Sequence, residues 1–237
     1  MSKILKAVKK TSGGGGDFSY RLATVEGIQL FPPPSESQQR DFDLLANSLI
    51  NIHDGIRGKV VTFTSTARGE GVSYVSYNLA RHLAYLLGRK ICWVDANFKR
   101  PQQRLQGHGV DFRSLLQDPD RISQVKTGSE LVLIPNGDGN VRTTDLLTSD
   151  RYTELLDHFA DTFYFTILDA PPILESVDVG HLAAPTEGAV VVIESRRLKY
   201  ELVQHGLREL RNQRVTILGT VLNKRTFDLP RFLYEKL

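Results

Sequence analysis

The 237-residue sequence predicts an open α/β fold, a doubly wound and mostly parallel sheet with helices on both faces, and three patterns carry that prediction. Short β-branched runs alternate with stretches of helical periodicity. A glycine turn joins the first of these runs to a helix. Two later runs end on a carboxylate, Asp95 and Asp169. In sheets of this kind ligands gather at the carboxyl ends of the strands, and the glycine turn and both acids fall there.

Each element follows from its own pattern. Residues 37–52 space Phe42, Leu45, Leu49 and Ile52 as one helical face, so a helix should lead into the core. Residues 59–64 (KVVTFT) read as a β-branched strand, and 73–87 set Val75, Leu79, Leu83 and Leu86 on one side of a helix. Further strands are expected over 90–95, 131–134, 164–168, 188–193 and 215–222. Helices are expected over 152–159 and 199–212, the latter presenting Val203, Leu207 and Leu210 together. No internal repeat is visible.

Composition divides the chain and limits its partners. Residues 1–36 hold a run of glycines from Gly13 to Gly16 and the triplet Pro32, Pro33, Pro34, which reads as tail and linker. Residues 37–224 form the expected domain and 225–237 a short C-terminal tail. Lys3, Lys6, Lys9 and Lys10 account for more than the formal charge of +3, so the body is close to neutral and nucleic acid is not an expected partner. With Ile4, Leu5, Ala7 and Val8, these lysines make either a solvated tail or a short basic amphipathic helix capable of weak contact with an anionic membrane. Cys92, the sole cysteine, sits in an apolar run and is expected to be a buried thiol. The six histidines lack metal-site spacing. No apolar run approaches the roughly 18 residues of a membrane span, and no signal peptide is evident, so a cytoplasmic location is expected.

The chemistry-bearing run is 64–74, TSTARGEGVSY, which has the outline of the phosphate-binding P-loop G-x-x-x-x-G-K-[ST] with Val72 at the lysine position. Gly69 and Gly71 let the backbone approach phosphate, and the following helix aims free N–H groups and its positive dipole end at the same point. Ser73 keeps the hydroxyl that completes a Mg²⁺ shell. Asp95 and Asp169 are placed to hold a metal or an attacking hydroxyl, or else to cap helices. Asn223, closing a strand, suits a base edge or a turn equally.

Four ordered segments, 64–80 (TSTARGEGVSYVSYNLA), 94–101 (VDANFKRP), 167–172 (ILDAPP) with Asp178, and 219–223 (GTVLN), resemble the successive motifs of the bacterial tyrosine kinases. Those are P-loop autokinases related to the partition and septum-site ATPases, and they work with membrane polysaccharide co-polymerases in capsule and exopolysaccharide export. The likeness runs from about residue 36 to about 224. It implies a P-loop NTPase fold and ATP or ADP with Mg²⁺ as cofactors. By position it implies nucleotide contact along Gly69, Glu70, Gly71, Val72, Ser73 and Tyr74, and base contact near Asn223. It implies Mg²⁺ at Ser73, Asp95 and Asp169, with the two acids catalytic, and autophosphorylation at Tyr234, the one tyrosine left in the C-terminal tail.

The departures are positional too. Val72 replaces the lysine, Tyr74 a threonine, and Asn97 the second acid of D-x-D. The family's oligomerising E-x-x-R-x-x-R motif would fall near Gln39, Phe42 and Leu45, where its charges are missing, so a monomer or a heteromeric complex is expected over a ring. Arg68 is the nearest candidate to replace the lysine, while Lys99 and Arg100 suit a solvated turn or a subunit contact. These departures imply a catalytically impaired kinase homologue that regulates or scaffolds a co-polymerase at the inner face of the cytoplasmic membrane. An active tyrosine autokinase is the alternative, and a partition-type ATPase acting on DNA or membrane is the third reading.

Overall fold

The computed structural model describes residues 30–52, 58–105, 109–138 and 142–225. Its centre is β1 (Lys59–Ser65), which pairs in parallel with β4 (Phe165–Asp169) on one side and with β5 (Gly188–Glu194) on the other. Beyond β4 lie β2 (Ile91–Asp95) and β3 (Leu131–Ile134), and beyond β5 lies β6 (Ile217–Asn223). The order is β3-β2-β4-β1-β5-β6, with all five pairings parallel. The expected α/β sheet is therefore present, and it is parallel throughout.

Side chains alternate across this sheet and are covered on both faces, as a parallel sheet requires. On one face Phe63, Trp93, Ile167 and Val190 pack under α1 (Glu36–Asn51) and α2 (Val72–Leu87). On the other, Cys92, Val94 and Leu168 meet α3 (Phe112–Gln117) and α5 (Asp150–Thr162), which follows the short α4 (Thr143–Leu147). A third cluster joins Ala189 and Val191 to α6 (Asp178–Ala183) and α7 (Tyr200–Asn212) through Val179, Val203, Leu207 and Leu210. Each fully buried aliphatic or aromatic side chain contributes about 1.5–3 kcal/mol, so this alternation dominates the stability. The Cys92 thiol is buried as expected, and burial pushes its pKa up.

Three differences from the sequence expectation have local causes. In α1 the inner face is Phe42, Ala46 and Leu49, a regular i, i+4, i+7 set, while Ile52 lies past the helix end and is exposed. The last strand begins at Ile217 instead of residue 215. Arg214 adopts a left-handed turn at φ 61° and the Val215 N–H caps α7 by donating to the Leu210 carbonyl at 3.0 Å, so both residues finish the helix. The short helices α3, α4 and α6 were not expected. The first is set by Asp111, whose carboxylate accepts the Ser114 N–H at 2.8 Å and so caps a turn that buries Phe112, Leu115 and Leu116.

Leu30 is buried, and Phe31 packs edge-on against Tyr74 and Tyr77 with ring centroids 6.2 and 5.7 Å apart. Residues 1–29 of the predicted tail and linker, and residues 226–237 of the C-terminal tail with Tyr234, lie outside the described residues. Among the described residues no helix is long and apolar enough to cross a membrane.

Gly58 opens β1 where a β-carbon would collide with the backbone carbonyl of Phe163. Backbone cannot swing aside as a side chain can. Gly58→Ala should therefore cost about 1–3 kcal/mol, the usual penalty of overpacking, read as a lower urea midpoint with unchanged m-value.

Candidate active site

All the predicted site residues among the described ones except Asp178 lie at the carboxyl ends of β1, β2, β4 and β6. The connection from β1 to α2 wraps tightly because Gly69 and Gly71 both take left-handed backbone, at φ 87° and 92°. Gly71 is the N-cap of α2, and a β-carbon there would run into the Asn223 carboxamide. At Gly69 a β-carbon would stand 2.7 Å from an Arg197 guanidinium nitrogen. Conformation thus favours glycine at both positions, and at Gly71 the bound Asn223 carboxamide leaves no room for a side chain.

Glu70 holds this turn in shape. Its side chain is fully buried; one carboxylate oxygen accepts the Ala67 N–H at 2.8 Å and the other the Glu194 N–H at 3.1 Å. Asn223 donates to the Glu70 carbonyl at 2.8 Å. Lys224 donates to the Gly69 carbonyl at 2.8 Å and pairs with Glu194 at 3.1 Å, while Arg197 pairs with the same carboxylate at 2.9 Å. Glu194 is held below the usual carboxylate range, chiefly by its bond from Lys224. The sequence reading missed this back wall, although Glu194 ends β5 on an acid just as Asp95 and Asp169 end β2 and β4.

Val72 opens α2 with its isopropyl group in the core cluster, only 9% exposed. Tyr74 lines the cavity at the turn and also reaches α1, where its hydroxyl donates to the Gln38 side-chain oxygen at 3.4 Å. Ser73 remains at the wall of a cavity of about 290 Å³, together with Gly69, Gly71, Asn97 and Lys99. Asn97, in place of an acid, uses its side-chain oxygen to accept the Arg100 N–H at 3.2 Å. Asp178 is elsewhere: Thr144 and Ser176 hydroxyls bond to its carboxylate at 3.0 and 3.1 Å, tying α6 to α4.

The two strand-end acids stand side by side, because Asp95 and Asp169 are register partners of β2 and β4. Asp95 accepts backbone N–H groups from Asn97 at 3.2 Å and Gln102 at 2.5 Å, yet burial outweighs these bonds and raises its pKa to about 6. Asp169 is buried with neither carboxylate oxygen in a hydrogen bond of good geometry. Burial, then the charge of Asp95, push it well above the usual range, against a smaller opposing pull from the Ser73 and Ser76 hydroxyls. Two carboxylates and a serine hydroxyl around unsatisfied oxygens form a hard donor set that fits Mg²⁺. The turn's N–H groups fit phosphate. The side chain at position 72 does not.

No family model matches the chain. It is 27% identical to the tyrosine-protein kinase CpsD of Streptococcus agalactiae over 177 residues, covering 72% of this chain and 77% of that protein. To the tyrosine-protein kinase YwqD of Bacillus subtilis it is 28% identical over 171 residues, 70% and 72% of the two chains. The kinase domain of the Escherichia coli tyrosine kinase ETK superposes with a TM-score of 0.69 at 20% identity, over 81% of this chain and 78% of that one. The fold is that of the P-loop NTPases.

Three outcomes follow from the buried carboxylates. An Asp95 pKa raised to about 6 in the folded protein means that the native state holds a proton the unfolded chain has already released. Metal-free protein should therefore lose stability as pH rises from about 4, level off above about 6 for this group, and lose about 3 kcal/mol in all at ~1.4 kcal/mol per unit. Asp169→Asn should unfold at higher urea than the parent at pH 8 without Mg²⁺; a lower midpoint would contradict an uncompensated buried charge. Glu70→Ala strands two backbone N–H groups, and a loss of about 2–4 kcal/mol is expected in the same titration.

Proposed function

Taking the chain as a homologue of the bacterial tyrosine kinases, we propose that it is a catalytically impaired regulator or scaffold in capsule or exopolysaccharide synthesis and export. It works by docking to the cytoplasmic segments of a membrane polysaccharide co-polymerase. The observation that carries this reading is Val72. Where the motif needs an ammonium at the β- and γ-phosphates, a valine side chain is packed into the core.

A charge-assisted hydrogen bond to phosphate is worth about 1.5–3 kcal/mol, so ATP binding should be weaker by roughly 10- to 150-fold than in the same pocket with lysine. Transfer suffers more, since the catalysis of phosphoryl transfer is mostly the placing of positive charge around the migrating group. Bound Mg²⁺, held by Ser73, Asp95 and Asp169, would neutralise the acids and the phosphate oxygens. The amides of residues 69–73 would orient the phosphates, and the raised pKa values of the acid pair favour a shared proton in the metal-free protein. None of these groups substitutes for the cation at position 72.

Two features of α1 support docking over self-assembly into a ring. Phe42, at one of the oligomerising motif positions, is buried in the core, and Leu45 packs against the same cluster. Neither position offers an exposed charge to a neighbouring copy.

The retained acids also favour an active autokinase as a second reading, and one experiment separates the two. Protein incubated with Mg-ATP should carry no phosphotyrosine by mass spectrometry, while calorimetry should show Val72→Lys binding Mg-ATP roughly 10- to 150-fold more tightly than the parent. Phosphotyrosine that forms in the parent and disappears in Asp169→Asn would establish the autokinase instead. Binding of the co-polymerase's cytoplasmic segment, measured by the same calorimetry, is expected with or without nucleotide.

A further inference from the structure

The cavity at the glycine turn gathers positive charge that does not come from α2. Lys99 and Arg100, in the turn after β2, line it opposite Gly69, Gly71 and Ser73, and Arg68 lines it from the turn itself. Against these three cations stands one acid in the wall, Glu175. Lys99 donates to the Glu175 carbonyl, a neutral partner, and neither Arg68 nor Arg100 has an ion-pair partner among the described residues. Three exposed cations around one cavity of a nearly neutral body give its mouth a local positive field that an anionic ligand would complement.

The other cations near the turn behave differently. Arg197 and Lys224 share the Glu194 carboxylate, and Lys224 also serves the Gly69 carbonyl, so their charge is spent on the back wall. A second observation comes from the opposite sign. Asp169, fully buried with both oxygens unsatisfied, interacts with the hydroxyl of Ser73 in the cavity wall, a place for a cation carried in with an anionic ligand.

We propose that this cavity takes a diphosphate group, and that Lys99, Arg100 and Arg68 supply from its open side the positive charge that position 72 lacks. The proposal rests on reading the turn as a phosphate site and assigns residues to it. Charge arriving from the outer side offsets the phosphate oxygens without bridging the β- and γ-phosphates. A ligand is thus held but not activated, and the site serves as a nucleotide-dependent surface.

Calorimetric titration of Mg-ADP and of Mg-pyrophosphate into the full chain tests this. Both should bind the parent. Lys99→Ala with Arg100→Ala should weaken both roughly 100-fold, Arg68→Ala about tenfold, and Lys99→Arg with Arg100→Lys should restore most of the loss. All three side chains are exposed, so the variants should unfold at the parent's urea midpoint. Equal binding of the two probes identifies the diphosphate as the recognised group; tighter binding of Mg-ADP adds a contribution from the nucleoside and leaves the cation assignment standing. No binding of either probe at millimolar concentration, or unchanged binding in the double alanine variant, would overturn the assignment. Phosphotyrosine formed by the parent would overturn the loss of catalysis and leave these cations in place, so the two conclusions fail separately.

Discussion

The buried carboxylate of Glu70 fixes the geometry on which the rest of the site depends. It joins the turn after β1 to the end of β5 through two backbone N–H groups, and the carbonyl of the same residue is held from β6 by Asn223. Three parallel strands are thereby tied at one end around a single residue. A buried acid normally costs stability, but one with both oxygens occupied by N–H donors replaces the water it has lost. The turn therefore keeps a phosphate-receiving shape through contacts within the protein.

That construction separates shape from chemistry. In a P-loop with lysine, the same element forms the cradle and supplies the cation. Here the cradle is maintained by Glu70, Asn223 and Lys224 from behind, while the first turn of α2 contributes Val72 to the core. The acids beneath it show the cost. Burial raises both pKa values, and the charge of Asp95 raises that of Asp169 further; an adjacent ammonium would oppose both.

The sequence revealed the sheet and the place of the site because both rest on local patterns. A continuous β-branched run such as 59–64 has few alternatives to a buried strand, and an acid closing it marks the carboxyl end where ligands meet. Helix faces were also legible, apart from Ile52, where periodicity continued past the point at which the backbone stopped. What escaped were features set by distant partners. Glu70 reads as a loop carboxylate exposed to ligand until β5 is placed beside it, and Asn223 as a base contact until Gly71 is found against its carboxamide. The short helices escaped because six residues with one cap carry too little periodicity; Asp111 before Phe112 was the available signal.

Trp93, the chain's one tryptophan, has a use unrelated to packing. Its indole is completely buried and donates to the Ser76 hydroxyl at 2.9 Å, and that hydroxyl in turn acts on Asp169. All indole emission from this protein therefore originates from one fluorophore, two residues from Asp95 and one side chain from Asp169. The molecule carries its own optical probe of the acid pair, with no label to attach and no second indole to subtract.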